Sequence, residues 1–293
     1  MRANAGADAR ASGWVRMAWA ALALVGVVSG TAAGAPKTAP AGGLSALEIV
    51  DKNVAARGGL EAWRKVDTMV WTGHLESART PAPSMPFELD QKRPNKTRFE
   101  LHAMNQRTLR IFDGTHGWKS KPQPSGRIDM VPYTSDEARF ARDEPAIDGT
   151  LIDLGAKGSQ VALAGVEQLD GRKVYHLSVR FASGGREEVW VDAETFLDVK
   201  IARLTYGADG KPRMVPTLYR DYKSFDGLQI PTTIQIGDGS MGTPDVMQIE
   251  RVTLNVRLND RRFVPPGARP IPAPGNRDAS PAPTGAPQES VPR

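Results

Sequence analysis

Residues 161–181, VALAGVEQLDGRKVYHLSVRF, carry the clearest structural pattern in the sequence. Asp170-Gly171 divides it into two segments, and in the second one Tyr175, Leu177 and Val179 alternate with their neighbours. A period of two places successive side chains on opposite faces of a β-strand. Asp-Gly supplies the positive φ angles that a tight hairpin turn requires. The stretch therefore predicts an antiparallel hairpin with one buried face.

The same pattern recurs along the chain. Six Asp-Gly dipeptides occur in the sequence, at 113–114, 148–149, 170–171, 209–210, 226–227 and 238–239. With the alternating apolar runs around them they predict about eleven strands, at 68–75, 87–90, 98–103, 107–112, 161–166, 173–181, 186–191, 197–205, 215–222, 228–236 and 246–258. A sheet of this size curls rather than stays flat. The predicted fold is mainly β (α+β): a strongly curved antiparallel half-barrel.

A few helices accompany the strands. Residues 44–57 place apolar side chains at three- and four-residue spacing, and Ser45 with Glu48 forms the pattern of a capping box. A short second turn is predicted at 60–65. Residues 133–154 break the alternation and predict either one or two short helices or a long crossing loop. We expect these segments to cover the concave side of the sheet.

The two ends of the chain differ from its centre. Residues 1–35 combine arginines, an uncharged apolar run and small residues, which is typical of a secretory signal peptide. The alternative is an uncleaved membrane anchor. Residues 36–43 are predicted as a linker and 44–264 as the folded domain. Residues 265–293 are rich in proline and almost without large apolar residues, which predicts a disordered tail.

Charge and cysteine content exclude several classes of protein. The formal net charge is +5, but residues 1–35 hold three basic groups and one acidic group, which leaves 35 basic against 32 acidic groups. This balance argues against a nucleic-acid partner. The chain has no cysteine, which excludes thiol catalysis and thiolate metal sites. Export without disulfides is compatible with a bacterial periplasm.

The sequence contains no local catalytic motif. His74, His102, His116 and His176 are not at metal-binding spacings, and a structural role is expected for each. Ser240 lacks the glycine two residues before it that a nucleophile elbow requires. The sequence therefore predicts no catalytic residue, no metal site and no cofactor. A hydrolase whose site is assembled from distant residues stays open as an alternative.

Large apolar side chains are the more informative residues. We predict an apolar ligand cavity between the sheet and its helices, with six candidate lining residues: Trp71, Phe87, Phe99, Leu101, Trp118 and Trp190. Ligand cavities of this kind are mostly hydrophobic and have few polar groups. The alternative for each of these residues is an ordinary place in the core.

The order of several segments resembles a known family. The segments are 47–75 (LEIVDKNVAARGGLEAWRKVDTMVWTGHL), 92–99 (KRPNKTRF), 112–118 (FDGTHGW), 170–175 (DGRKVY), 190–195 (WVDAET), 219–223 (YRDYK) and 226–231 (DGLQIP). Residues 44–264 thereby resemble the LolA/LolB-like outer-membrane lipoprotein-sorting and carrier superfamily, which includes RseB/MucB-type sensor domains. The resemblance implies an eleven-stranded half-barrel plugged by helices, a hydrophobic cavity for acyl chains, and no catalysis.

These observations give one main functional hypothesis and one rival of another class. The first is a periplasmic, monomeric, non-enzymatic carrier of a lipid or a lipoprotein acyl chain. The rival is a sensor or interaction module that binds another envelope protein and uses the tail as a spacer. Both hypotheses depend on the space between sheet and helices.

Overall fold

The computed structural model describes residues 43–266, apart from 79, 81, 83, 105, 124, 207–211 and 238–242. The predicted signal peptide, the linker up to residue 42 and the tail from residue 267 lie outside the described residues. The Asp-Gly dipeptides at 209–210 and 238–239 and the rejected nucleophile Ser240 also lie outside them. Among the described helices, none has the length and apolar character that crossing a membrane demands.

One antiparallel sheet of thirteen strands forms the body of the domain. The strands are β1 (Thr68–Glu76), β2 (Ser84–Lys92), β3 (Lys96–Ala103), β4 (Gln106–Phe112), β5 (Gly117–Pro122), β6 (Ile128–Pro132), β7 (Gln160–Leu169), β8 (Arg172–Arg180), β9 (Arg186–Asp192), β10 (Asp198–Tyr206), β11 (Pro212–Phe225), β12 (Leu228–Ile236) and β13 (Asp245–Leu254). Their spatial order is β6-β5-β4-β3-β2-β1-β13-β12-β11-β10-β9-β8-β7. The sheet is open, with β6 and β7 at its two ends.

The predicted hairpin turns have the expected backbone. At Asp170-Gly171 the φ angles are 51° and 77°, and at Asp226-Gly227 they are 48° and 85°. Positive φ at both central residues is the signature of a type I′ turn, whose twist matches that of the flanking strands. These turns connect β7 to β8 and β11 to β12. The meander is therefore confirmed where the turn chemistry predicted it.

The sheet has two strands more than the eleven expected. The additional strands are β5 and β6, which pair with each other from Trp118–Pro132 to Pro122–Ile128. They are six and five residues long, and most of their side chains are only half-buried. A short strand at the end of a sheet has little buried surface, so its sequence carries a weak alternation.

The described residues also form three α-helices and one short 3₁₀-helix: α1 (Ala46–Ala56), α2 (Leu60–Arg64), α3 (Ser135–Asp143) and the 3₁₀-helix Asp260–Phe263. The predicted capping box starts α1, because Ser45 Oγ accepts a hydrogen bond from Glu48 N and Glu48 Oε2 accepts one from Ser45 N. Thr134 begins α3 in the same way. The segment predicted as a helix or a crossing loop contains both, α3 and then the turns up to residue 159.

Contacts of α3 show how strongly the sheet curls. Glu137 of α3 contacts Arg110 of β4, and the Phe140 ring lies 4.6 Å from the guanidinium carbon of Arg203 in β10. Strands β4 and β10 are seven positions apart in the sheet, about 34 Å if the sheet were flat. Glu137 and Phe140 are within a single helical turn of each other. The sheet therefore curves until both of its arms meet α3, and we call the face toward the helices the inner face.

Apolar packing fixes α1 and α2 on the inner face. Ile49 of α1 is fully buried against Leu177 and Val189, and Trp63 of α2 is fully buried against Met69. Burial of one such side chain contributes about 1.5–3 kcal/mol. On the outer face, Phe263 of the 3₁₀-helix is buried in an apolar cluster with Leu109 and Ile111 and so holds that helix against the sheet.

A partly buried ion pair fixes the crossing loop that follows α3. Arg93 donates hydrogen bonds from both terminal nitrogens to the carboxylate of Asp148, with Nη1 2.9 Å from Oδ2. The same guanidinium donates to the carbonyl oxygens of Val66 and Trp63. Bidentate pairs of this type are strong and directional. The loop is thereby held against α2 and becomes one wall of the space under the sheet.

Candidate functional site

A cavity of about 360 Å³ lies between the inner face and the helices. Nine strands contribute to its wall, together with α2, α3, the end of α1 and the crossing loop. Its volume falls within the range of about 300–1,000 Å³ that is usual for small-ligand sites. Only a curled sheet brings so many strands around one space.

Most of the wall is apolar. Its large apolar residues are Trp63, Trp71, Leu89, Phe99, Phe140, Val189, Ile201, Val215, Ile230, Ile234, Ile236 and Met247. Trp71 pairs with Leu89, which in turn pairs with Phe99, so that these three side chains form a row across β1, β2 and β3. Such a row offers a continuous surface for a hydrocarbon chain.

A charged group interrupts the apolar wall on β9 and β10. Arg203 Nε donates a hydrogen bond to Glu187 Oε2, and Thr150 Oγ1 donates one to Glu187 Oε1. Glu187 is fully buried. The guanidinium carbon of Arg203 lies near two aromatic rings, that of Phe140 and that of Phe181, whose centroid is 5.3 Å away. A buried ion pair needs hydrogen bonds and close contacts of this kind, because both charged groups lose their hydration.

Glu144, at the end of α3, faces this pair. Its Oε2 lies 3.9 Å from Arg203 Nη1, and its side chain is 57% accessible. Protein nevertheless surrounds the carboxyl group, so that burial raises the pKa of Glu144, and the nearby charge of Glu187 adds to the increase. Arg203 and Arg110 oppose the shift. Glu144 is thus an accessible acid inside the cavity that gains a proton more easily than an ordinary glutamate.

A second ionic group lies where α3 meets β4 and β5. Glu137 accepts hydrogen bonds from Lys119 Nζ at 2.6 Å and from Thr134 N at 2.9 Å, and Arg110 Nη2 lies 3.4 Å away. Burial alone would raise the pKa of Glu137, but these three donors outweigh it and hold the pKa below its ordinary value. Arg110 also covers the Tyr133 ring at 4.8 Å. These bonds attach α3 to one arm of the sheet.

A third ionic group closes the cavity beside α1. Asp198 accepts hydrogen bonds from Asn53 Nδ2 at 3.0 Å and Arg57 Nη1 at 3.2 Å. The Tyr222 hydroxyl donates to the Asp198 carbonyl oxygen at 2.9 Å. Burial raises the pKa of Asp198, while Arg57 and Asn53 oppose the increase. This group ties α1 to the turn between β9 and β10.

The structure brings four of the six predicted lining residues together. Trp71 and Phe99 line the cavity. Phe87 and Leu101 belong to the buried cluster that contains Phe99, and the Phe87 and Phe99 rings are 5.8 Å apart. Phe87 pairs with Leu101 in the sheet register, so these side chains share the inner face. Ligand binding by these four residues remains a prediction.

Trp118 and Trp190 do not share that face, which corrects the expectation of one aromatic surface. Trp190 lies between two inward-facing valines of β9 and packs outside, where its ring stacks on His176 at 4.3 Å. Trp118 pairs with Ile111 and packs with it in the outer cluster under the 3₁₀-helix. The sequence around Trp190 is apolar on both faces, so alternation did not decide its side.

The charged residues of the cavity were not predicted from the sequence. Arg110 and Arg203 line the cavity, and Glu187 is bound to Arg203, but all three lie on strands, where an alternating charge normally faces water. Their partners are distant in sequence, as with Thr150 and Glu187. The one usable signal was spacing, because Glu187 is two residues before Val189 on one strand and so shares its face.

The four histidines lie away from the cavity wall. His74 contacts Glu250 at 2.9 Å and Glu76 at 3.2 Å, and the other three histidines also contact carboxylates. These are surface or half-buried ion pairs. Within the described part of the chain, no group of three or more potential ligands is placed to hold a metal ion.

Comparisons with known proteins identify the fold. No protein-family model matches the sequence, and no curated protein matches it. The structure of a LolA superfamily protein from Nitrosomonas europaea matches with a TM-score of 0.51 and 14% identity, covering 76% of this chain and 99% of that one. At this identity the likeness shows the fold alone. The chain therefore has the LolA-like fold that the sequence resemblance implied.

Two further matches are weaker. A DUF1329 family protein from Desulfovibrio piger has a TM-score of 0.49 and 16% identity, covering 75% of this chain and 97% of that one. The MucA/MucB complex of Pseudomonas aeruginosa gives a TM-score of 0.25 and 13% identity over 74% of this chain and 60% of that one. Scores below 0.5 do not bear on function here.

Proposed function

We propose that the protein is a periplasmic, non-enzymatic binding or carrier protein that holds an apolar ligand, such as a lipid or a lipoprotein acyl chain, in the cavity. One observation carries the proposal: a cavity of about 360 Å³ with a mostly apolar wall that nine strands build together. Moving a hydrocarbon from water into an apolar cavity of this size lowers the free energy of the system. The predicted signal peptide supports the periplasm as the compartment.

The inner wall favours carriage over catalysis. The fully buried carboxylates of the inner wall are engaged by fixed donors, Glu187 by Arg203 and Thr150, and Glu137 by Lys119. The Thr150 hydroxyl lies beside a carboxylate that could act as a base, but Glu187 is fully buried and is already bound by Arg203. The row of Trp71, Leu89 and Phe99 serves binding directly.

The proposal is tested by identifying what the protein carries. Native mass spectrometry and solvent extraction of the protein purified from its own envelope should show a lipid-like adduct. Ile236→Trp fills the cavity from β12 and should abolish the adduct, because Ile236 lines the space. Gln235→Trp is the matched control, since its neighbouring position faces outward. An adduct that is absent from the wild type, or retained equally by both variants, would refute carriage in this cavity.

A further inference from the structure

The Arg203 end of the cavity has hydrogen-bond donors to spare. A guanidinium carries five N–H donors. Arg203 uses Nε on Glu187, while Nη1 has no hydrogen-bond partner among the described residues. Its nearest other carboxylate is Glu144, at 3.9 Å. Arg203 is only 9% exposed, so water gives it little compensation. A buried donor without a partner costs free energy until an acceptor arrives.

The fully buried acceptors at this end are already engaged. Both oxygens of Glu187 accept hydrogen bonds, one from Arg203 and one from Thr150. Glu137 accepts from Lys119 and from the backbone of Thr134. A ligand head that offers oxygen lone pairs therefore finds a buried partner in Arg203, whereas a head that offers donors finds only the more exposed carboxylate of Glu144.

Glu144 sets a condition on such a head. Its ionised carboxylate would repel an incoming oxyanion, and its protonated form would donate a hydrogen bond to it. The charged groups around it are Arg203 on β10, Arg110 on β4 and Glu187 on β9, and burial raises its pKa. The environment therefore already favours the neutral form that an anionic head requires.

The rest of the wall suits a hydrocarbon chain. Trp71, Leu89 and Phe99 line the same cavity in a row across three strands. A volume of about 360 Å³ is near the lower limit of small-ligand cavities, which favours one chain over several.

We propose that the ligand is a single-chain amphiphile with an oxyanion head, a carboxylate or a phosphate, whose head binds at Arg203 and Glu144 and whose chain lies along Trp71 and Phe99. This inference rests on the proposed function, because it names the class of ligand for the same cavity. Binding is coupled to proton uptake by Glu144, so affinity falls as the pH rises.

The test compares three probes of equal chain length: dodecanoate, dodecyl phosphate and the uncharged dodecanol. Each displaces the neutral dye N-phenylnaphthylamine from the wild type, from Glu144→Gln and from the outer-face control Glu188→Gln. We expect at least one anion to bind about tenfold more tightly than dodecanol. Whichever anion binds more tightly identifies the source, a fatty acid or a phosphate-headed lipid. Glu144→Gln should tighten the anion by about tenfold near neutral pH and flatten its pH dependence, because it removes a like charge.

The outcomes separate this inference from the proposed function. Dodecanol that binds as tightly as both anions, or Glu144→Gln without effect on anion affinity, would overturn the head-group assignment and leave the apolar cavity intact. Loss of all dye and probe binding in the wild type would overturn both. A change in Glu188→Gln equal to that in Glu144→Gln would show a general charge effect and also overturn the assignment.

Discussion

The two faces of β9 carry similar residue types and use them differently. On the outer face Trp190 stacks between His176 and Lys200, and both ring nitrogens of His176 contact carboxylates, those of Glu167 at 2.7 Å and Glu188 at 2.9 Å. Every charge in this outer cluster has an opposite charge or a ring beside it.

On the inner face, one hydrogen-bond donor of the neighbouring charged residues lacks a partner among the described residues. Glu187 accepts hydrogen bonds from Arg203 and Thr150, but Arg203 Nη1 has no hydrogen-bond partner in the described part of the chain and lies next to a cavity. Aromatic and charged residues occur on both faces, so their presence alone does not indicate a binding site. The proposed site lies where a buried polar group has an unused donor beside free volume.

The largest expected difference between the faces concerns stability. Arg203→Met leaves Glu187 buried without its counter-ion and should lower the free energy of unfolding by about 3–5 kcal/mol in urea denaturation. Lys200→Met on the outer face should cost no more than about 1 kcal/mol. The double variant Arg203→Met with Glu187→Met should recover most of the loss, because no charge remains buried. Equal losses for the two single variants would erase the distinction.

Trp71 on the inner face and Trp190 on the outer face should differ in their effect on ligand affinity. Trp71→Ala removes an inner-wall surface and should weaken dodecanol or dye binding by roughly tenfold, about 1.4 kcal/mol. Trp190→Ala should change the affinity by less than about twofold, since its ring packs outside. Fluorescence titration measures both, and circular dichroism verifies that each variant is folded. A larger loss of affinity in Trp190→Ala than in Trp71→Ala would indicate that the ligand binds on the outer face and would contradict the proposal.

Acid should weaken the contribution of Glu137 on the inner side more than that of Glu167 on the outer side. The pKa of Glu137 is lowered in the folded state, so its contribution to stability is present above the ordinary pKa of glutamate and disappears as the pH falls through the folded value. Glu137→Gln should therefore cost about 1 kcal/mol at neutral pH and reduce the loss on acidification.

Glu167 is the outer-face counterpart. Its pKa is also lowered, chiefly by the hydrogen bond from Trp190 Nε1, but it is about half exposed. Glu167→Gln should therefore change the acid profile less than Glu137→Gln in urea titrations between neutral and acidic pH. Indistinguishable profiles for the two variants would contradict the assigned roles.

The smallest effect is expected for His176. Replacement by glutamine removes two ion-pair contacts and one stacked ring at a site that water still reaches, and should alter the free energy of unfolding by less than about 1 kcal/mol. Thermal unfolding near neutral pH measures it. A loss comparable to that of Arg203→Met would mean that the outer cluster is as critical as the inner one.

Local chemistry made much of the fold predictable. Asp170-Gly171 and Asp226-Gly227 specify their turns by backbone preference alone, and Ser45 with Glu48 specifies the start of α1. Strands β5 and β6 were not anticipated in full, because half-buried strands at a sheet end have a weak period. Each of these sequence signals specifies one turn or one helix start, and none of them specifies how the elements pack.

The site was predictable only in its apolar part. Trp71 and Phe99 stand out by residue type, and their strands have one clear face. Arg203 and Glu187 did not stand out, because only the tertiary structure shows that their face is enclosed. Trp190 was misplaced because its apolar ring alternates with Val189 and Val191, so that both sides of β9 carry apolar residues. Which face of a sheet becomes enclosed depends on how the sheet curls, and no single strand encodes it.

We expect hydrocarbon to fill the space under the sheet, and crystallography can locate it there. A crystal of the protein grown with bromododecane should show anomalous bromine density inside the cavity, between Trp71, Phe99 and Ile234. The same crystal of Ile236→Trp should lack that density. Bromine found only on the outer face, or an inner space that stays empty at saturating bromododecane, would contradict the account.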